Sequence, residues 1–191
     1  MKAIEERTRD AAFHEAAHAV LARKLGMRVD SVFIGGEEER GTAIVQVEEH
    51  TERRYEDHLL VSWAGWAADH KRRRYENVSE QDLSALYKAR HKADKRLSDL
   101  FSTRLTLFKS GRISNVDAEI DAGVKFTAEE RQQADELVLA ARVAAQVLVR
   151  EHWRAISRVA EALLRQKTLS QDELDAEIAR APSRRAKAGK R

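Results

Sequence analysis

The amino-acid sequence predicts a mainly α-helical fold of the α+β class, a helical bundle with a small β-hairpin or sheet. Apolar residues recur at helical spacing through several long segments, and the 191 residues contain a single Pro. Two short β-branched segments on either side of a charged, Gly-containing loop predict the hairpin. With 42% apolar and 35% charged residues, the composition is typical of a globular protein rather than a disordered one.

The first elements follow from apolar spacing and glycine positions. Apolar side chains between Phe13 and Leu25 predict a helix over residues 3–25 that ends at Gly26. The segments 29–34 and 42–47 are rich in Val and Ile, as expected of paired strands. The loop between them contains three consecutive acids and no Lys, so we expect a hairpin turn and not a phosphate-binding loop.

The later elements are predicted to be helices. Residues 54–74 have the apolar spacing of one helix, whereas residues 94–123 give no clear pattern. A long helix after residue 127 is expected to be interrupted or bent near residues 151–154. Capping boxes, in which a Ser or Thr precedes an acid by three residues, mark three helix starts: Ser79–Asp82, Thr127–Glu130 and Ser170–Glu173.

Composition limits the cellular setting and the metal chemistry. The chain has no Cys, so a metal site must use His, Asp, Glu or water. It contains neither an apolar run of membrane-spanning length nor the apolar N-terminal stretch of a signal peptide. We therefore expect a cytoplasmic protein without a transmembrane segment.

The charge is distributed unevenly along the chain. The formal net charge is +3, but residues 181–191 contain five Lys or Arg and no acid. We expect residues 1–180 to form one domain and residues 181–191 to form a basic tail without fixed structure. Such a tail allows nucleic-acid contact, although a solvated terminus without function is the simpler interpretation.

The most specific pattern is His14-Glu15-Ala16-Ala17-His18, an H-E-x-x-H motif within the first predicted helix. Residues four apart on a helix lie on the same face, so both imidazoles can bind one zinc ion. Glu15 can then serve as the general base toward water at the metal. The alternative is two ordinary helix histidines beside a charged residue.

A catalytic zinc site needs a third protein ligand and an open position. Residues 19–49 contain no His, so the third His of a metzincin motif is absent. Spacing alone leaves the third ligand open among several distant residues: His50, His58, Asp69, His70, Asp82, His91 and His152.

Three segments in order along the chain resemble the zinc peptidase domain of FtsH-type ATP-dependent metalloproteases. They are FHEAAHAV at 13–20, AGWAAD at 64–69 and SEQDLSAL at 79–86, and residues 156–174 are similar to the closing helices of that family. The resemblance covers most of residues 10–180. Two positions depart from the family pattern, since Ala17 replaces a Gly and Trp66 replaces an Arg.

The resemblance implies a helical zinc-peptidase-like bundle and a role for each matching residue. His14, His18 and Asp82 would bind zinc, Glu15 would be the general base, and Asp69 would orient one of the ligands without binding the metal itself. From the residues alone, Asp82 is also explained as the acid of a helix capping box.

The implied activity is that of a zinc metalloendopeptidase acting on unfolded or peptide substrates. Because the ATPase module of the family is not part of the resemblance, we expect ATP-independent cleavage or a separate ATPase partner. A homo-oligomer is possible, since the family assembles as rings. Residues Thr42, Ala43, Ile44 and Val45 are a candidate edge strand for binding an extended peptide, or else only cover the core.

Two other functions stay open at this point. A catalytically silent, peptidase-like adaptor or assembly protein would keep the fold without turnover. A nucleic-acid-associated protein would act through the basic tail, with binding that depends steeply on salt.

Overall fold

The structure, a computed structural model of the chain, describes residues 2–35, 41–46, 48–73, 92–120 and 123–180. It is mainly helical with one small antiparallel sheet, which confirms the predicted fold class. The helices are α1 (Lys2–Lys24), α2 (Glu52–Ser62), α3 (Ala64–Arg73), α4 (Lys92–Lys109), α5 (Ala128–Glu151), α6 (Trp153–Gln166) and α7 (Gln171–Ala179). The strands are β1 (Val29–Ile34), β2 (Gly41–Val45) and β3 (Thr168–Ser170).

Helix α1 lies at the centre of the core. Its residues Ala12, Ala16, Ala17 and Ala19 are fully buried, and such small side chains let neighbouring elements approach the helix closely. The helix packs most extensively against α6 and α3, and it also contacts β1 and β2. This burial from several sides makes α1 a rigid base for the motif it carries.

The sheet covers one side of this core in the order β2-β1-β3. Strand β1 is central, and its buried Val32 pairs with Ala43 of β2 and Leu169 of β3. Because β2 is at the end of the sheet, its outer edge has no strand partner within the described residues. The predicted hairpin partners are therefore present, with β2 ending at Val45 rather than at residue 47.

One helical prediction was wrong, and two elements were not predicted. The segment predicted as one helix over 54–74 forms two, because the chain turns at Trp63 between α2 and α3. Helix α4 occupies much of the stretch 94–123 that gave no clear pattern, and β3 was not predicted. The expected interruption near 151–154 lies at His152, between α5 and α6.

Several predictions fall on residues that the structure does not describe. They are the helix start at Ser79–Asp82, the loop at 36–40 and the basic tail at 181–191. Among the described helices, none combines the length and the apolar character that a bilayer-crossing segment requires.

Candidate metal centre

The two histidines of the motif meet on one face of α1. Their rings pack edge to face with centroids 4.8 Å apart, and the two Nε2 atoms are separated by 3.2 Å. This is the outcome of the i, i+4 spacing within a regular helix. Both Nε2 atoms therefore point toward a common position.

Neighbouring helices hold each ring by its other nitrogen. The Nδ1 of His18 donates to the carbonyl oxygen of Val61 in α2 over 2.8 Å. The Nδ1 of His14 lies 3.3 Å from Oδ2 of Asp69 in α3. Since a carbonyl and a carboxylate oxygen can only accept, both Nδ1 atoms carry protons, and in the neutral form of each ring the lone pair is then on Nε2.

A glycine allows the close approach of α3 to His14. A Cβ atom built on Gly65 would lie 2.2 Å from Cε1 and 2.3 Å from Nε2 of the His14 ring. No real Cβ contact is this short, so the ring occupies space that any other residue at 65 would fill. Gly65 thus sets the position of His14 sterically, while Asp69 sets its orientation.

The third member of the cluster is Asp94, from the first turn of α4. Its Oδ2 lies 3.0 Å from Nε2 of His14 and 3.4 Å from Nε2 of His18. Among the described residues, His14, His18 and Asp94 are the group of possible metal ligands that comes together; we call them the His/Asp cluster.

Asp94 was not among the ligands predicted from the sequence. An acid in the first turn of a helix is common because it interacts favourably with the helix dipole, so its residue type gave no signal. The location of α4 was also not predicted. Asp82, which the resemblance implies as third ligand, lies outside the described residues, as does His91.

The other candidate ligands have different surroundings. His50 contacts Tyr55, His58 stacks on Phe101, His70 packs against Trp66, and His152 lies at the junction of α5 and α6. None of these four belongs to the His/Asp cluster, the group that the described residues form.

The spacing of the His/Asp cluster fits a tetrahedral metal. Ligand atoms at ~2.0–2.1 Å from zinc in a tetrahedral site are ~3.3 Å from one another. The three separations here are 3.2, 3.0 and 3.4 Å. When both imidazoles are neutral, their two Nε2 lone pairs and the Asp94 carboxylate converge on one point, and three acceptors that close repel one another unless a cation or protons lie between them.

The pKa values of His14, His18 and Asp94 reflect how close these three groups are to one another. Burial is the largest single influence on the pKa of His14 and of His18 and lowers it, but the neighbouring carboxylates, Asp94 first among them, together outweigh burial, and the pKa of each lies above its usual value. Asp69 adds to this effect at His14. Burial raises the pKa of Asp94, yet the two imidazoles together hold it well below the ordinary range. The centre therefore favours positive charge between its members.

Glu15 lies beside the cluster and faces the sheet. Its side chain is 8% exposed, and burial raises its pKa, although the neighbouring histidines and a hydrogen bond from the backbone N–H of Ala43 lower it. A Cβ atom at Gly41 would lie 2.4 Å from Cγ of Glu15. Strand β2 thus packs against the motif, and Gly41 leaves the space that Glu15 fills.

The predicted edge strand is placed next to this centre. Thr42, Ala43, Ile44 and Val45 all belong to β2, and Ile44 is exposed. The contact between Ala43 and Glu15 joins the strand directly to the motif.

Comparison with known proteins adds no assignment. Neither protein-family models nor curated protein sequences give a match to this chain.

Proposed function

We propose that the protein is a zinc-dependent peptidase in which His14, His18 and Asp94 hold the metal and Glu15 is the general base. The observation that supports this most is the geometry of the His/Asp cluster, whose three donor atoms are 3.0–3.4 Å apart. Asp69 and the Val61 carbonyl orient the two rings, as outer partners of zinc-bound histidines commonly do.

The metal, when bound, would supply Lewis-acid activation of water and of the substrate carbonyl. Glu15 then moves the protons of the reaction. Its carboxylate takes a proton from the attacking water and passes a proton to the amine nitrogen as the peptide bond breaks. The raised pKa of Glu15 suits the first of these steps, since a more basic carboxylate accepts a proton more readily.

An extended peptide is the substrate form that the edge strand favours. The outer edge of β2 can take a further strand by backbone hydrogen bonding, within reach of Glu15. Strand addition requires a chain segment without its own secondary structure. We therefore propose unfolded proteins or peptides as substrates, delivered by a separate ATPase partner where they are folded.

The metal site is tested by zinc content and affinity of the purified 191-residue chain, measured on Asp94→Asn and Asp82→Asn beside the unaltered protein. We expect about one zinc per chain, lost in Asp94→Asn and kept in Asp82→Asn. Asp99→Asn is the matched control, because Asp99 is an exposed acid on the same helix. Zinc that is lost in Asp82→Asn and kept in Asp94→Asn would assign the third ligand to Asp82.

Catalysis is tested separately with Glu15→Gln. This variant should bind zinc normally and lose at least about a thousandfold in peptide cleavage, because proton transfer then has no base. Glu161→Gln, on the exposed surface of α6, controls for the substitution itself. Unaltered protein that binds zinc but cleaves no unfolded substrate would refute the peptidase proposal and favour the silent adaptor.

A further inference from the structure

Helix α5 carries exposed apolar side chains that the proposed peptidase chemistry does not use. Leu139, Val143 and Val147 are 51%, 51% and 44% exposed. Single exposed apolar residues are normal on protein surfaces, but these three are spaced at four residues and so follow one another along one side of the helix. They form an apolar stripe in the middle of the exposed face of α5.

Charged residues of opposite sign stand at the two ends of this stripe. Glu136 precedes it and Arg150 follows it, and both are exposed. Seven residues turn a helix to within ~20° of the starting direction, so both charges point to the same side as Val143. Arg150 makes no ion pair within the described part of the chain, whereas Glu136 accepts a hydrogen bond from Gln132.

The pattern is symmetric about Val143. Leu139 and Val147 are each four residues away from it, and Glu136 and Arg150 are each seven residues away. When two such helices lie antiparallel with Val143 facing Val143, Leu139 of each meets Val147 of the other. Glu136 of each then meets Arg150 of the other. A surface that matches itself in this way is what a two-fold interface requires.

The parallel arrangement lacks this complementarity, since Glu136 would face Glu136 and Arg150 would face Arg150. We propose that the stripe surface, consisting of Glu136, Leu139, Val143, Val147 and Arg150, joins two copies of this chain as an antiparallel pair of α5 helices. The two-fold axis passes through Val143. The apolar centre supplies the contact, and the terminal charges select the antiparallel orientation.

The first test is sedimentation velocity of the full chain over a wide range of concentration. We expect a concentration-dependent dimer, and Val143→Glu should weaken it by at least about a hundredfold because the substitution acts twice in a two-fold interface. Val143 is exposed, so the variant should fold and keep its helical circular dichroism spectrum. A chain that is monomeric at every concentration, or a dimer unaffected by Val143→Glu, would overturn the proposal.

Charge reversal tests the orientation. Glu136→Arg and Arg150→Glu should each weaken the dimer, because each places like charges opposite one another, and the double variant should restore it. Single reversals without effect, or a double variant that stays weak, would show that these residues do not face each other.

A cross-linking test uses the absence of Cys from the chain. Val143→Cys places one thiol on each side of the proposed axis, where two helices in contact bring the Cα atoms within disulfide range. It should form a covalent dimer rapidly under mild oxidation. Arg131→Cys, exposed on another side of α5, is the matched control. Equal rates for the two variants would overturn the proposed interface. That result is also the one expected if a different protein, rather than a second copy of the chain, covers the stripe.

Discussion

Replacing Gly65 with Ala tests whether the space beside His14 defines the metal centre. The added Cβ would lie 2.2–2.5 Å from three atoms of the His14 ring. Contacts between non-bonded carbon atoms are favourable at ~3.5–4.0 Å, so the ring or α3 must shift by about 1 Å. Zinc–ligand distances vary by only ~0.2 Å, and such a shift removes His14 from coordination geometry.

Two opposing terms determine the stability of Gly65→Ala. Forcing an extra methyl into a packed position costs ~1–3 kcal/mol, whereas Ala in place of Gly in a helix gains ~0.5–1 kcal/mol. We therefore expect a net loss of about 0–2.5 kcal/mol and a protein that still folds. The zinc affinity, in contrast, should fall at least about a hundredfold, since an entire ligand is displaced.

The assay combines zinc affinity, measured by competition with a chromophoric chelator, with urea denaturation of the metal-free protein. A double variant, His14→Ala with Gly65→Ala, isolates the steric contribution to the change in stability. In a His14→Ala background the ring is absent, so Gly65→Ala should become stabilising by ~0.5–1 kcal/mol through helix propensity alone. The sign of the Gly65→Ala effect on stability thus depends on residue 14.

Gly41→Ala provides a contrast at the same centre. Its Cβ would lie 2.4 Å from Cγ of Glu15 and 2.8 Å from the carbonyl oxygen of Phe33, with no contact to His14 among its nearest atoms. We expect this variant to retain zinc and lose cleavage.

A folded Gly65→Ala protein that binds zinc as tightly as the unaltered chain would refute the placement of His14 in the centre.

Two further predictions concern pH. In metal-free protein, the raised pKa values of His14 and His18 contribute stability that is fully present below about pH 6.5 and is lost as the pH rises through their folded-state values. The urea midpoint of metal-free protein should therefore fall with rising pH above 6.5, and saturating zinc should remove most of this fall; a flat profile would contradict the electrostatic description. The pKa shift of His58 has the opposite sign, because burial and then the charge of Arg54 lower its pKa to about 4. Its neutral form is required in the fold, so His58→Phe should improve stability more at pH 5 than at pH 8, by ~1–2 kcal/mol after discounting for solvent screening; equal effects at the two pH values would count against a neutral, buried His58.

The sequence predicted the parts of the centre that depend on local geometry. The positions of His14 and His18 relative to each other follow from four-residue spacing on a helix, and the hairpin follows from its β-branched segments and glycines. Asp69 was expected near the site through family resemblance, and the structure places it against His14.

Features that depend on long-range packing were not predictable in the same way. Asp94 reaches the cluster because α4 packs against other helices, and nothing in its immediate neighbours distinguishes it from Asp99 later in the same helix. The break at Trp63 likewise has no Pro or Gly signal at that residue. It places the Val61 carbonyl at the end of α2, where it accepts the hydrogen bond from His18.

The centre joins helices that are far apart in the sequence, and this has a consequence for its stability. α1 supplies two members of the His/Asp cluster and α4 supplies the third, 76 residues after His18. Without a cation or protons between them the three acceptors repel one another, which opposes the packing that holds the start of α4 beside α1. Bound zinc would act as a cross-link between α1 and α4, and ligand binding to the folded form slows its opening. Amide hydrogen exchange should therefore slow most at the start of α4 and around His14 when zinc is added, with little change in α7. Uniform slowing across all helices would indicate global stabilisation alone, and no slowing in α4 would mean that Asp94 does not bind the metal.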